Sequence, residues 1–476
     1  MLSLEAKKKE SISIMEKRKE EKDNFLKDSV LKIALPVTLQ SIFQASFSVV
    51  DQVMTGQLGS VSVAGIGLGS KFASLFNVLI SAVATAAGIM IAQYVGSKNR
   101  KRVKESLLFN MGIAFAIAVI FMLLSLLFPR LIMSAYSKDE ATILAAAQYL
   151  WIIAFGFIPM VISLFLSTLL RSTGLAKLPM YGSVASIVIN LVLDYAMIFG
   201  KAGFPAMGIA GAAWATTIAR MIEALWLVGC LLWALRADAW NWGIDKEDAE
   251  EKKQGEFSFW QILLPILLPV LLCEFLWSLG ENIYAVIYGR MGTMECAAMT
   301  LINPIQALVI GALSGLSAAA GIIVGKLLGE EKYEEAYARS KSLMKYGLIG
   351  SAFFSILLLL IYPYYVQIFR VEEEVKMLTG YILIAYALIS PVKVQNMILG
   401  GGILRSGGQT KYVLMVDTIG TWCFGIPLGF LAAFVLHLPI YLVYFILSLE
   451  ECVRFGISWV IFRRRKWMKT IAQTSE

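Results

Sequence analysis

The chain has 476 residues, of which 58% are hydrophobic and 16% charged, with a mean hydropathy of +0.71 and a formal net charge of +8. Soluble domains carry about 25% charged residues, so this composition excludes an ordinary soluble protein. Apolar runs of roughly 18 residues or more recur along the chain, and each can cross a bilayer as a helix. A transmembrane β-barrel is excluded, because its segments would be shorter and would alternate apolar with polar residues.

The first 28 residues are predicted to form a cytoplasmic tail that is solvated, amphipathic or disordered. This stretch is rich in Lys and Glu, and no apolar core with a small-residue cleavage site precedes the first long apolar run. We therefore do not expect a cleaved signal peptide.

About twelve membrane-spanning helices follow, which predicts an all-α polytopic membrane protein. The first six lie near 29–55, 62–94, 106–130, 140–170, 180–200 and 208–235. The last six lie near 259–288, 294–328, 341–363, 375–404, 412–436 and 438–462. The longest polar connection separates them, so we expect an N-lobe at 29–235, a cytoplasmic linker at 236–258, a C-lobe at 259–462 and a basic cytoplasmic tail at 463–476.

Basic loops alternate along the chain with loops that hold few Lys or Arg. The strongest basic run between spans is 98–102, and the run Arg463–Lys466 near the C-terminus falls on the same side. The positive-inside rule places that side, and both termini, in the cytoplasm of a cell that carries this protein in its plasma or inner membrane. This loop pattern also accounts for the positive net charge without a nucleic-acid partner.

An internal repeat supports the division into two six-helix lobes. Four pairs of residues share an offset of 233 positions, namely Pro36 and Pro269, Gly56 and Gly289, Gly88 and Gly321, and Gly96 and Gly329. Arg171 and Arg405 are 234 apart. Because six is even, the two repeats have the same orientation, and we expect pseudo-symmetric lobes with the substrate path between them.

Polar residues interrupt three apolar spans of the N-lobe at similar depths. At 1.5 Å per residue, Asp51, Asp194 and Thr216 lie roughly 7, 9 and 12 Å below the outer boundary, with Asn190 about one helical turn deeper than Asp194. Carboxylate, amide and hydroxyl oxygens suit Na⁺, and two carboxylates can also share a proton. The alternative is that each aspartate accepts its own hydrogen bond and only shapes the lobe.

The two aspartates at this depth are not repeated in the C-lobe. The positions equivalent to Asp51 and Asp194 are Tyr284 and Leu428. We therefore expect the cation-coupling chemistry in the N-lobe alone.

The C-lobe holds its own intramembrane charges. Glu274 and Glu281 lie seven residues apart, near one helix face with Trp277 between them, where they could bind an organic cation. The alternative is an internal network, in which Lys393 could pair with a glutamate. The opposite charges at Arg220 and Glu223, and at Glu451 and Arg454, are three residues apart and are interpreted as neutralised pairs.

At these residues the chain resembles the multidrug and toxic compound extrusion (MATE) family, over nearly all of 29–462. The motifs that carry the resemblance are Ala34-Leu35-Pro36, Val50-Asp51, Leu170-Arg171-Ser172-Thr173-Gly174, Asn190-x-x-x-Asp194 and the stretch from Gly208 to Thr216. The resemblance implies two lobes in a V, alternating access, and export of cationic or amphipathic drugs in exchange for H⁺ or Na⁺. It implies no enzymatic activity and no cofactor besides the coupling ion, and we expect a monomer in the lipid bilayer.

The resemblance also assigns residues. Asp51, Asn190, Asp194 and Thr216 match the family's N-lobe cation site, and no metal other than Na⁺ is expected there. Glu274 matches an acidic position in a branch that also uses its C-lobe. That branch has an aspartate three residues before a glutamine, where this chain has Val392 before Gln395. This departure favours coupling through the N-lobe.

Three other functions require features that differ from those of this sequence. A flippase for a lipid-linked or polysaccharide precursor shares the broader fold but commonly has more spans and a cationic cavity for phosphate. A membrane-embedded enzyme would need a His, Cys or metal constellation, and the sequence has a single histidine. A receptor would not need a twelve-span repeat with a buried acidic layer.

Overall fold

The computed structural model describes residues 30–58, 60–237, 259–367 and 372–470. The predicted N-terminal tail and nearly all of the predicted linker lie outside these residues. Within the described ranges the regular structure is entirely helical.

Six long helical segments occupy the N-terminal half. They are α1 (Leu31–Gly56), α2 (Ser60–Gly96), α3 (Arg100–Leu127), α4 (Glu140–Ser172), α5 (Lys177–Phe199) and α6 (Ile209–Arg236). A short helix, Pro129–Ser134, lies between α3 and α4. We call the end of the bundle at which α1 begins the basal end, and the opposite end the apical end.

Six segments likewise occupy the C-terminal half. They are α7 (Phe259–Met291), α8 (Thr293–Gly329), α9 (Tyr333–Gln367), α10 (Glu373–Leu404), α11 (Thr410–Val435) and α12 (Ile440–Ser448 with Glu450–Arg463). Within the described ranges, ten of these twelve segments are long and apolar enough to cross a membrane. The all-α polytopic fold is therefore confirmed.

Several helices extend beyond the apolar runs that predicted them. The ninth span was predicted from 341, but α9 begins at Tyr333. Its added turns are polar, and Arg339 pairs with Glu335 one turn earlier at 3.3 Å. Such pairs stabilise helix in water, where a hydrophobic run carries no signal.

The first helix of each half packs into the core of the other half. Ile33 and Ala34 of α1, with Val30 directly before it, join a buried cluster formed mainly by C-terminal-half helices. Their repeat equivalents Leu263, Ile266 and Leu267 of α7 join the cluster around α2, α3 and α4. The two halves thus exchange contacts reciprocally, and a boundary drawn only at the linker does not separate two independent cores.

Polar contacts also join α1 to α8. Thr38 donates through Oγ1 to the Ala312 carbonyl at 3.0 Å, and the Ser41 and Ser314 hydroxyls lie 2.9 Å apart. These contacts lie in the basal half of α1, toward its first residue. A displacement of α1 therefore acts directly on the contact between the halves.

The start of the predicted basic tail belongs to the folded core. Trp467 is fully buried, stacks on Phe462 and donates from Nε1 to the Phe462 carbonyl at 3.2 Å. Gln93 of α2 donates to the Ser406 carbonyl at 2.7 Å and to the Lys469 carbonyl at 3.4 Å. These contacts hold the start of the tail at the basal end, beside the junction of the two halves.

Candidate functional site

The N-terminal half positions its polar residues through close packing of α5 on α6. Ser186 donates through Oγ to the Ala219 carbonyl at 2.9 Å. A Cβ on Gly211 would lie 2.7 Å from the Met197 backbone, so only glycine permits this approach. Helix α5 then ends at Gly200, whose φ of +66° is a left-handed conformation that suits glycine. The packing brings one face of α5 against the start of α6.

Asn190 and Thr216 meet on that face, and Asp194 lies one helical turn along α5 from Asn190. Asp194 is fully buried, and neither of its carboxyl oxygens has an amide, amine or hydroxyl donor among the described residues. The Asn190 side-chain amide lies 3.5 Å from the Thr216 hydroxyl. Thr216 in turn donates to the Ala212 carbonyl at 3.0 Å, which leaves its oxygen lone pairs available.

Asp51 of α1 completes the group, which we call the N-half site. Its side chain is half-buried and interacts electrostatically with the neighbouring Asp194 carboxyl group. Two adjacent carboxylates away from bulk water cannot both stay charged without a cation. The site can therefore share a proton or bind a hard cation such as Na⁺ through its oxygen atoms.

Tyr149 lies beside the N-half site, although the sequence analysis did not select it. This buried α4 residue is within electrostatic range of both aspartates and of Arg220. A tyrosine in an apolar run is usually a packing residue, so the sequence carried no signal for this placement.

Arg220 and Glu223 interact electrostatically, but they do not form the direct ion pair that their spacing predicts. In the described part of the chain, Arg220 has no carboxylate within 4.0 Å, and one of its terminal nitrogens has no hydrogen-bond partner. Glu223 instead accepts a hydrogen bond from Ser183 at 2.5 Å. Ser183 accepts one from Gln40 at 2.7 Å, and Gln40 accepts one from Arg171 at 2.6 Å. This chain of bonds ties α1, α4, α5 and α6 together below the N-half site.

The C-terminal half encloses a polar cavity of about 500 Å³, which we call the C-half cavity. Five carboxylates and three cationic side chains line it. They are Glu274, Glu281, Asp417, Glu450 and Glu451, with Lys393, Arg405 and Arg454. The residues come from α7, α10, α11 and α12, except Arg405, which directly follows α10. Segments of π-helix, which often occur at functional sites, begin directly after Asn396 in α10 and after Asp417 in α11.

Most charges of the C-half cavity are paired. Glu274 is 3.1 Å from Arg405, so this predicted substrate residue belongs to an ion pair. Arg454 pairs with Asp417 and, as predicted, with Glu451, which lies 3.5 Å away. Glu281, the other predicted residue, is exposed at the cavity.

Asp417 and Glu450 are cavity residues that the sequence analysis missed. Glu450 is buried and accepts a hydrogen bond from the Tyr284 hydroxyl at 2.5 Å. An acidic residue inside an apolar span, alone at Asp417 and next to Glu451 at Glu450, was the signal that could have identified both, because such residues are costly to insert without a function.

Comparisons with known proteins agree with this architecture. The model of the MatE family matches residues 36–196 and 269–431, two segments that begin 233 positions apart. An uncharacterized transporter, YisQ, of Bacillus subtilis is 24% identical over 93% of this chain and 95% of its own length. A probable multidrug resistance protein, NorM, of Thermotoga maritima is 24% identical over 95% of each chain.

Solved structures show the same fold. The crystal structure of MATE in complex with MaL6 superposes with a TM-score of 0.80 and 17% identity, over 92% of this chain and 95% of that one. The matching model covers more than half of the chain. The protein therefore belongs to the MatE family, whose members are membrane transport proteins and not enzymes.

Proposed function

We propose that this protein is a multidrug efflux antiporter that exchanges H⁺ or Na⁺ for cationic or amphipathic organic compounds by alternating access. One observation carries the proposal: the buried Asp194 carboxyl group has no amide, amine or hydroxyl donor among the described residues and lies beside the Asp51 carboxyl group. A membrane protein pays a large desolvation cost for such a pair, and a bound cation offsets it. The name of the Thermotoga maritima relative supports drugs as the exported compounds.

The position of Asp51 on α1 supplies a route from cation binding to movement. The same helix contacts α8 of the other half through Thr38 and Ser41, and it contains Pro36. A proline inside a helix removes one backbone hydrogen bond and favours bending. Cation binding at Asp51 and Asp194 would bend or repack α1, weaken drug binding and release the contact between the halves.

The orientation follows from the loop charges. The basic loops and the described C-terminal tail lie at the basal end, so we assign that end to the cytoplasm and the protein to the plasma or inner membrane. We propose separately that it works as a monomer. The N-lobe, 29–235, and the C-lobe, 259–462, would rock against each other around α1 and α7, the helices that pack into the opposite half. A flippase is disfavoured, because the acid excess of the C-half cavity would repel a phosphate.

The test is drug efflux from proteoliposomes, with a pH gradient and a Na⁺ gradient imposed separately. We expect one gradient to drive efflux in the natural protein and neither to do so in Asp194→Asn. Asp139→Asn is a matched control, since it removes an exposed carboxylate outside the spans. Efflux that ignores both gradients in correctly inserted protein would overturn the proposal.

A further inference from the structure

Lys393 of α10 is a cation without a close partner in an acidic cavity. Among the described residues, its ammonium group makes no hydrogen bond and has no carboxylate within 4.0 Å. It nevertheless interacts electrostatically with Glu281 of α7 and with Glu450 and Glu451 of α12. The ammonium group thus lies amid three carboxylates and contacts none of them closely.

The other two cations of the C-half cavity are already engaged. Arg405 pairs with Glu274, and Arg454 pairs with Asp417 and Glu451. Among the described lining residues, this leaves Glu281 and Glu450 without a cation in contact. Lys393 is therefore the cavity cation that is outside an ion pair and interacts with both of these acids, while Arg454 also lies within electrostatic range of Glu450.

The repeat relates this cavity to the N-half site. Arg220 and Arg454 are 234 positions apart, the same offset that relates Arg171 to Arg405. At that offset Thr216 of the N-half site corresponds to Glu450. The C-terminal half therefore has a carboxylate where the N-terminal half has a hydroxyl, and its cavity has the oxygen chemistry that attracts a cation.

We propose that Lys393 is a tethered cation that excludes free coupling cations from the C-half cavity. The proposal rests on the proposed antiport function and names the residue that confines coupling to the N-half site. A lysine ammonium is a compact charge on a flexible stem. Because the ammonium group is covalently attached to α10, it offsets the charge of Glu281 and Glu450 without being released, whereas a free cation would leave. Each cycle would then exchange only the cations of the N-half site.

The test counts the cations bound by purified full-length protein, with ²²Na⁺ and, in parallel, with the protons taken up on acidification. Lys393→Met keeps the chain length and removes the charge. We expect it to bind one more cation than the natural protein, and Lys393→Arg to bind the natural number. Lys345→Met, an exposed residue of α9, should change nothing. An unchanged count in folded Lys393→Met would overturn the proposal.

A second background separates this proposal from the antiport itself. Asp194→Asn should lower the count through the N-half site, and adding Lys393→Met should raise it again by one. If Asp194→Asn binds as many cations as the natural protein, the N-half site is refuted. The extra cation expected on adding Lys393→Met is measured separately, so it still tests the tethered cation. If Lys393→Met does not fold, Lys393→Gln offers a polar neutral replacement with the same expected increment, and a folded Gln variant with the natural count refutes the tethered cation.

Discussion

Gly96 and Gly329 occupy equivalent positions in the two repeats, and each lies against the backbone of the other's helix. A Cβ on Gly96 would lie 2.0 Å from the Lys326 carbonyl oxygen, and one on Gly329 would lie 2.0 Å from that of Gln93. Lys326 and Gln93 are themselves 233 positions apart. The contact of α2 with α8 is therefore reciprocal, as a two-fold relation between the halves requires. This contact holds α2 and α8 together at the basal end.

The first prediction is that Gly96→Ala opens this basal contact. The added methyl group must move the Lys326 backbone by about 1 Å or more to reach an ordinary separation. We expect the population to shift toward a basally open state and drug efflux to fall. Electron–electron distance measurements between spin labels at the basal ends of the two halves would detect the shift.

Gly112→Ala is the matched control for this prediction. Gly112 is also helical, and a Cβ there meets nothing within 4 Å. If Gly96→Ala left the basal distances unchanged, the tight contact of α2 with α8 would not control the closed state.

The second prediction concerns the C-terminal tail. Trp467→Ala removes a fully buried indole and its hydrogen bond to Phe462, and such truncations cost about 3–5 kcal/mol. We expect a lower unfolding temperature in detergent and faster backbone hydrogen exchange at 464–470. Arg464→Ala, an exposed neighbour, should leave both unchanged. Equal stability of the two variants would mean that the tail is only a charged extension.

The third prediction separates the structural and binding roles of Glu274. Glu274→Gln leaves Arg405 without its carboxylate in a partly enclosed cavity, and we expect a loss of stability of about 1–4 kcal/mol. The double variant Glu274→Gln with Arg405→Gln should recover much of this stability. Thermal unfolding of the four proteins gives the coupling energy. A stable double variant that has lost drug binding would instead assign Glu274 to the substrate.

The fourth prediction compares two adjacent threonines. Thr216 faces Asn190 in the N-half site, whereas Thr217 is buried and donates to the Ala213 carbonyl at 2.8 Å. Thr216→Val removes one cation ligand, so we expect the cation concentration for half-maximal efflux to rise about tenfold, which equals about 1.4 kcal/mol. Thr217→Val should leave that concentration near its natural value. Efflux measured over a cation series distinguishes the two.

The helices and the N-half site were predictable because their signals are local or periodic. Long apolar runs fix the spans, and a carboxylate such as Asp194 stands out within one. The depth of each residue along its helix then brought Asp51, Asp194 and Thr216 to similar levels. The structure adds equivalent contacts to the repeat: Arg171 donates to Gln40 and Arg405 to Cys273, pairs related by 234 and 233 positions.

The contacts of the C-half cavity were not predictable in the same way. Glu274 and Arg405 are 131 positions apart, and only tertiary packing reveals their pairing. Spacing along one helix placed Arg220 and Glu223 within electrostatic range but did not predict that Ser183 of α5 would donate to the Glu223 carboxylate. The burial of Trp467 could not be predicted, because the basic residues before it are typical of a solvated tail.

The most direct test of the central claim is drug-triggered cation release from purified protein. Proton release in weak buffer and Na⁺ release are recorded as drug is added to the natural protein, Asp51→Asn, Asp194→Asn and the control Asp139→Asn. We predict release of one cation species from the natural protein and the control, and none from either N-half variant despite native unfolding temperatures. Undiminished release from Asp194→Asn would contradict exchange at the N-half site.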